Sequence, residues 1–262
     1  MTDTLLETVA DGVATLTMNR PEALNAMTPD MMPAAFDALT RFASDPDVRA
    51  IVLTGAGRGF CAGGDVKRMD KAAADPTLEE RVQGLRQRME VSRLLHQIAK
   101  PTIAMVRGPA AGAGMSLALA CDMRIASETA RFTTAFSRVG LSGDFGGAYF
   151  LTRLVGTAKA RELYWLSETV PADQALALGM VNRVVADNAL EAETMAIAKR
   201  LADGPVVTLG YMKKNLNAAE TGTLEEVFDL EAMHHSRCSQ TEDHKEAARA
   251  FVEKRKPVFQ GR

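Results

Sequence analysis

The chain has 262 residues, of which 47% are hydrophobic, and a net charge of −2 from 31 Lys and Arg against 33 Asp and Glu. This balance is typical of a soluble globular protein, the length suits one large domain or a domain plus a small appendage, and the charge argues against a generally basic nucleic-acid binder. Neither a signal peptide nor an apolar run long enough to span a bilayer is recognisable. We therefore expect a cytoplasmic protein with no nucleic-acid or membrane partner.

Short segments rich in Val and Ile and bounded by turn residues predict the strands. They are Gly12–Met18, Arg49–Leu53, Thr102–Val106, Met123–Ala126 and Met180–Val185. Helical patterns lie between them, and this alternation predicts an α/β core with mostly parallel pairing.

Three of these helices have recognisable ends. Thr28 followed by Pro29 predicts an N-cap and a helix that runs towards Phe42. Apolar residues at helical spacing predict one long helix, with an apolar face from Leu78 to Leu95, that ends near Lys100. A short helix over Ala172–Leu178 should end at Gly179, a C′ glycine. From Asn188 to Lys256 the pattern is entirely helical, with breaks at 203–205 and 221–222.

Two glycine-rich segments follow predicted strands, as expected where the backbone must approach a neighbour closely. The first, Leu53–Asp65, lacks the G-x-G-x-x-G spacing of a dinucleotide site. The second, Val106–Ser116, lacks the lysine of a P-loop and runs into an apolar helix, whose first N–H groups would be free. Close helix–strand packing explains these small residues equally well. The three cysteines have no Cys-x-x-Cys pair, and no histidine pair has metal spacing, so no metal site is expected.

A third glycine-rich segment, Ala135–Gly147, carries one acid, Asp144, among apolar residues. A carboxylate there would be partly desolvated, with the raised proton affinity that a general base near neutrality needs. Alternatively, Asp144 is the N-cap of a helix that begins near Phe145. The residues alone leave both interpretations open. For Asp65 and Asp122 we expect structural roles, a helix cap and a turn.

Four motifs in order resemble those of the enoyl-CoA hydratase/isomerase (crotonase) superfamily. They are Met18–Ala26, Phe60–Asp65, Gly108–Asp122 and Phe251–Arg255. The resemblance implies a spiral of ββα units over residues 1–200 and a helical oligomerisation region over 201–262 that forms trimers, often paired as hexamers. It also implies an acyl-CoA thioester as substrate, with coenzyme A present only as part of that substrate and no tightly bound cofactor.

The resemblance further assigns residues to the site. The N–H groups of Gly64 and Ala113 would bind the thioester oxygen as an oxyanion hole. The substrate-binding residues would be Ala23, Leu24, Ala62, Gly64, Asp65, Val66, Ala113, Ser116, Phe136, Phe251 and Lys254.

The chain departs from hydratases of the family at their two catalytic glutamates, which match Ser116 and Phe136 here. Asp144 remains, and the run Ala135–Gly147 is similar to the ring-1,2-epoxyphenylacetyl-CoA isomerase branch, in which an aspartate moves protons. We therefore expect an isomerase-type proton shift with Asp144 as base and then acid. The alternatives are hydration of 2-enoyl-CoA by another route, or a non-catalytic acyl-CoA-binding protein.

Overall fold

The computed structural model describes residues 3–65 and 77–262. Its strands form a six-stranded sheet in the order β1-β2-β3-β4-β6-β9 and a three-stranded sheet in the order β5-β7-β8. The strands are β1 (Leu5–Ala10), β2 (Val13–Met18), β3 (Ala50–Gly55), β4 (Thr102–Val106), β5 (Pro109–Ala111), β6 (Met123–Ser127), β7 (Arg131–Thr133), β8 (Val170–Pro171) and β9 (Arg183–Val185).

The large sheet is parallel except where β1 pairs with β2. This confirms the α/β class and the mostly parallel pairing predicted from the sequence. All five predicted strands exist, with ends that differ by up to three residues. The sequence pattern missed β1, β5, β7 and β8.

Helices cover both faces of the large sheet. They are α1 (Met31–Ser44), α2 (Leu78–Arg88), α3 (Glu90–Gln97), α4 (Ala113–Ala120), α5 (Gly147–Leu166), α6 (Ala172–Ala177), α7 (Leu190–Ala202), α8 (Val206–Ala219), α9 (Leu224–Cys238) and α10 (Glu242–Val252).

The strands of this sheet are apolar on both faces because each face is buried, as is usual for parallel strands. Alternate residues such as Val52 and Ile103 pack under α7, on one face. Their neighbours, such as Ile51 and Leu53, pack on the other face, in the core that includes α1, α3 and α4.

The two sheets are linked by repeated ββα units. In the first, β4 lies in the large sheet, β5 in the small one, and α4 follows. In the second, β6 and β7 are divided in the same way before α5. This is the spiral of ββα units that the sequence resemblance implies, and it places the start of α4 at the junction of the sheets.

Two helix predictions were wrong in detail. Helix α1 begins at Met31 with Asp30 as its N-cap residue, so Thr28 is not the cap. The long helix predicted from Leu78 is divided at Met89 into α2 and α3. Leu78 is 70% exposed and Val82 is 59% exposed, so the predicted apolar face is not buried at this end.

The short helix α6 agrees with its prediction, since Gly179 follows its C-terminal end with φ of +75°. The helical prediction for residues 188–256 is also confirmed by α7 to α10. We predicted that the core region ends at residue 200. Helix α7 crosses this boundary by two residues, since it ends at Ala202. Among residues 3–65 and 77–262, no helix is long and apolar enough to cross a membrane.

Candidate active site

The first motif is joined by hydrogen bonds from a buried asparagine to the loop that leads into the second motif. Asn25 Nδ2 donates to the carbonyl oxygens of Ala56 and Gly59, at 2.9 and 2.7 Å. The N–H of Ala62 donates to the Leu24 carbonyl at 2.9 Å. These bonds fix the loop that follows β3 against the 18–27 segment.

The first and second glycine-rich segments meet through their backbones. The N–H of Ala111 donates to the Cys61 carbonyl at 2.9 Å, and Cys61 pairs with Ala110 as an isolated parallel bridge. A Cβ on Gly114 would lie 2.7 Å from the Cys61 Cβ and still closer to its carbonyl. Gly114 therefore has to be a glycine, because any side chain would push the two segments apart.

This packing sets Gly64 beside Ala113. A Cβ on the preceding Gly63 would lie 3.4 Å from the Ala113 nitrogen. Ala113 is the first residue of α4, where backbone N–H groups have no intrahelical partner. In the part of the chain that the structure describes, no residue accepts a hydrogen bond from the N–H of Gly64 or of Ala113. Two backbone donors are thus available on adjacent segments.

The loop around Asp144 has an uncommon backbone. Gly143, Phe145 and Gly146 have φ of +115°, +48° and +77°. Left-handed φ is strained for a side chain such as that of Phe145, and such strain is concentrated at functional sites. Helix α5 begins at Gly147 with Gly146 as its N-cap residue and no side-chain cap. The interpretation of Asp144 as the N-cap is therefore wrong.

The Asp144 carboxyl is half-buried. Its Oδ1 atom is buried and has no hydrogen-bond partner among residues 3–65 and 77–262. Burial raises the pKa of Asp144 from 3.8 to about 6, and the positive charge of Arg88 opposes this rise only in part. Such a carboxyl exchanges protons readily near neutral pH, as a general base and acid must.

The two positions that match the family's glutamates carry no acid. Ser116 is buried, and its hydroxyl donates to the Gly112 carbonyl at 3.2 Å. Phe136 is also buried and stacks on Tyr164, with ring centroids 5.9 Å apart. Tyr164 lies beside the Asp144 loop, yet no motif or spacing in the sequence marked it as a site residue.

The model of the family described as enoyl-CoA hydratase/isomerase matches residues 8–262. The chain belongs to this family.

Named relatives are similar in sequence or structure to this chain over nearly its whole length. A 1,2-epoxyphenylacetyl-CoA isomerase of Escherichia coli (strain K12) is 39% identical, with all of both chains covered. A probable enoyl-CoA hydratase of Rhodobacter capsulatus is 38% identical, with 97% of this chain and 96% of the relative covered. The crystal structure of a putative enoyl-CoA hydratase from Streptomyces coelicolor A3(2) has a TM-score of 0.95 and 38% identity, covering 99% of this chain and 94% of that one. The chain is therefore an enzyme of the crotonase superfamily with the crotonase fold, and both isomerases and hydratases are among its relatives.

Most of the substrate-binding residues expected of a family member lie near the Gly64–Ala113 pair. Val66 lies outside the described residues. Asp65 forms an ion pair with Arg20 at 3.1 Å, and the helix that we expected it to cap would fall on undescribed residues. Contacts link the segments that carry Leu24, Ala62, Gly64, Ala113, Ser116 and Phe136, and Ala23 and Asp65 adjoin Leu24 and Gly64 in the chain.

Phe251 and Lys254 lie in another part of the fold, away from the Gly64–Ala113 pair. Phe251 is 86% exposed, and Lys254 follows the end of α10. The segment after them lies against Arg49, whose guanidinium contacts the Phe259 carbonyl at 3.5 Å. Arg49 precedes β3, whereas Gly64 follows it. The contacts of Arg49 with the C-terminal segment are therefore at the N-terminal end of β3, and Gly64 lies beyond its C-terminal end. Within one chain, this family member does not bring Phe251 and Lys254 to the Gly64–Ala113 pair.

Asp122 has the structural role predicted for it. Its Oδ2 accepts hydrogen bonds from the Thr102 backbone and hydroxyl and from the buried Lys213 ammonium, at 2.7, 3.0 and 2.9 Å. The buried thiol of Cys61 is no nucleophile, since burial raises its pKa to about 12. Among the described residues, no group of three or more His, Cys, Asp or Glu side chains is arranged to hold a metal ion.

Proposed function

We propose that this enzyme isomerises an enoyl-CoA thioester by moving one proton, with Asp144 as base and then acid. The shift moves a double bond or opens a ring. The observation that carries this proposal is the half-buried, unpaired carboxyl of Asp144, with its pKa raised to about 6. Ser116 and Phe136, at the positions of the hydratase glutamates, offer no second acid. A single carboxyl suffices for a proton shift, whereas holding and activating a water uses both glutamates.

In this proposal the thioester oxygen accepts hydrogen bonds from the N–H groups of Gly64 and Ala113. Removing a proton beside the thioester places negative charge on that oxygen. Preorganised backbone donors stabilise such charge, and each contributes about 3 kcal/mol by analogy with other oxyanion holes. The α4 N-terminus adds its positive dipole end at Ala113.

The proton balance closes without another reactant. The Asp144 carboxylate takes a proton from the carbon next to the thioester, and the electron pair of the broken C–H bond delocalises onto the thioester oxygen. The protonated Asp144 then returns the proton to the carbon two bonds away. The electrons on the enolate oxygen re-form the carbonyl, and the carbon–carbon double bond now lies next to it. The carboxylate is regenerated, and neither a metal nor a tightly bound cofactor takes part. Coenzyme A enters only as part of the substrate.

Deuterium exchange tests this assignment. Wild type, Asp144→Asn and the control Asp229→Asn, an exposed acid on α9, are each incubated with a 3-enoyl-CoA in deuterated water. We expect Asp144→Asn to lose isomerisation and exchange by about 100- to 10,000-fold, the usual contribution of a general acid–base group. The control should match wild type. Equal exchange in all three proteins would remove Asp144 from the mechanism.

Hydration of a 2-enoyl-CoA is the second candidate, because the Rhodobacter capsulatus relative is named a probable enoyl-CoA hydratase. The same assay decides between them when 2-enoyl and 3-enoyl thioesters of several lengths are compared. Formation of 3-hydroxyacyl-CoA at a turnover above that of double-bond migration would make hydration the principal reaction. Tight thioester binding without any conversion would instead indicate a non-catalytic binding protein.

We further propose that residues 201–262 form a homotrimer, or a hexamer of two trimers. Exposed apolar side chains support this proposal: Leu216, Leu224 and Phe228 on α8 and α9 are 58 to 68% exposed. An assembly would also bring Phe251 and Lys254 of one chain to the site of another. Sedimentation equilibrium measures the mass, and a monomer at micromolar concentration would contradict the proposal.

A further inference from the structure

Tyr164 is a polar side chain beside the Asp144 loop that has no role in the proposed proton shift. A Cβ on Gly147 would lie 2.6 Å from its hydroxyl oxygen, and a Cβ on Gly143 would lie 3.0 Å from its ring. The two glycines stand on either side of Asp144. The aromatic ring therefore fills the space beside the Asp144 loop that side chains at these positions would need, and stacking on Phe136 holds the ring in place.

The hydroxyl of Tyr164 lies among polar groups but is not bonded to them. No described residue accepts a hydrogen bond from it or donates one to it, although Tyr164 is half-buried. The Ser116 hydroxyl lies next to the same point on Gly147 but donates to the Gly112 carbonyl instead. The hydroxyl oxygen is not fully buried, so solvent can pair with it in the free enzyme, and the cost of an unpaired donor arises only when a bound ligand excludes that solvent without offering an acceptor.

The hydroxyl remains a donor throughout the neutral pH range. Burial, together with the negative charge of Asp144, raises the pKa of Tyr164 to about 12. Because the ring is fixed between Gly143 and Phe136, the hydroxyl has little freedom to turn towards another protein acceptor. When an acyl group occupies the site and excludes solvent from the hydroxyl, an acyl oxygen next to the carbons that Asp144 serves is placed to become its partner.

We propose that Tyr164 determines specificity by donating a hydrogen bond to an oxygen on the acyl group, so that the enzyme prefers acyl-CoA substrates with a hydroxyl or ether oxygen near the migrating double bond. This proposal rests on the proposed function for the location of the acyl group. An alkyl chain in the same position would leave the hydroxyl unpaired, and sites built to hydrogen-bond a substrate atom discriminate against analogues that lack it.

A matched pair of substrates tests the proposal. One is an alkyl 3-enoyl-CoA. The other has an ether oxygen in place of the methylene group that adjoins the double bond on the side away from the thioester. Tyr164→Phe keeps the ring and removes only the hydroxyl. Relative to wild type, we expect the ratio of kcat/KM for the ether over the alkyl substrate to fall by about 3- to 10-fold, the effect of one neutral hydrogen bond. Tyr149→Phe, which removes a hydroxyl that donates to Glu220, should leave the ratio unchanged.

An unchanged ratio in Tyr164→Phe would overturn the proposal, and if kcat/KM falls equally for both substrates, Tyr164 has a packing role instead. Calorimetric binding of the corresponding saturated, unreactive thioesters keeps this test separate from the proposed reaction. If wild type converts neither enoyl substrate, the proposed function fails. The ratio of the two Kd values in wild type and Tyr164→Phe still decides whether Tyr164 binds the oxygen. Urea unfolding of each variant verifies that it is folded.

Discussion

Replacing Asp144 by asparagine should stabilise the folded protein while it abolishes the proton shift. Asparagine has nearly the shape of aspartate but carries no charge. Folding raises the pKa of Asp144 from 3.8 to about 6, so the folded state binds the proton more tightly than the unfolded state does. Wild type therefore has the stability of the variant below pH 4, and it loses stability relative to the variant as the pH rises through 6.

The structure limits the size of this effect. A difference of one pKa unit corresponds to about 1.4 kcal/mol, so the rise to about 6 sets an upper limit of about 3 kcal/mol at pH 8. Asp144 is only half-buried, and solvent screens its charge. We therefore expect the variant to be more stable by about 1–2 kcal/mol at pH 8, after this discount for screening.

Urea unfolding measures the difference directly. Wild type, Asp144→Asn and Asp229→Asn are unfolded at one protein concentration at pH 5, 6, 7 and 8, and the free energies of unfolding are extrapolated to water. The difference between wild type and Asp144→Asn should already be about half its full size at pH 5, grow further up to about pH 6 and level off above it, whereas Asp229→Asn should follow wild type. A variant that is less stable than wild type at pH 8, or a difference that does not vary with pH, would refute the reasoning.

Three further predictions follow from the same structure. Because the carboxylate form of Asp144 is the base, kcat/KM for a 3-enoyl-CoA should rise with pH, reach half its maximum near pH 6 and stay high above it. Gly114→Ala should reduce kcat/KM by at least about 10-fold and stability by about 1–3 kcal/mol, since its Cβ would push the segment at Cys61 away from α4, as measured by kinetics and urea unfolding. Lys213→Met should lower the free energy of unfolding by about 3 kcal/mol, because it leaves the carboxylate of Asp122 without its buried ammonium partner.

Each of these has its own control. A profile that falls as the pH rises through 6 would mean that the protonated form of Asp144 starts the reaction. Gly84→Ala in α2 should be neutral or stabilising by up to about 1 kcal/mol, because a Cβ there meets only the end of the Arg88 side chain at 3.5 Å. Lys245→Met removes an exposed ion pair with Glu242 and should leave the free energy of unfolding close to that of wild type, because solvent screens this pair. If Lys213→Met is no more destabilising than Lys245→Met, the buried pair is not a structural requirement.

The sequence predicted the large sheet well because its strands are apolar on both faces. Runs such as that ending at Val106 are short, β-branched and bounded by turn residues, which distinguishes them from helices. The strands of the small sheet were missed for the opposite reason. Pro109–Ala111 has only small residues and three positions, so no alternation is visible, and its pairing with β7 is a long-range contact.

The sequence indicates candidate site residues where the motif is contiguous, but it gives no signal for a residue that the fold brings back to the site. Asp144 stands out as a lone acid among glycines, and its raised pKa agrees with the partly desolvated carboxyl expected of it. Tyr164 lies twenty residues later, on a helix whose period gives no sign that one residue reaches back to the loop before it. The break at Met89 was likewise invisible, because Leu78 and Val82 continue a helical spacing although they are exposed.

The contact of Tyr164 with the glycines beside Asp144 restricts how this enzyme can diverge. A methyl group at 147 would overlap both the Tyr164 phenol and the Ser116 hydroxyl. A single change of Gly147 to a larger residue is therefore unfavourable while Tyr164 and Ser116 are both present. Related sequences with alanine at 147 should therefore carry compensating smaller residues at 164 and 116. Such joint changes would mark lineages whose acyl pocket has been rebuilt for different chemistry.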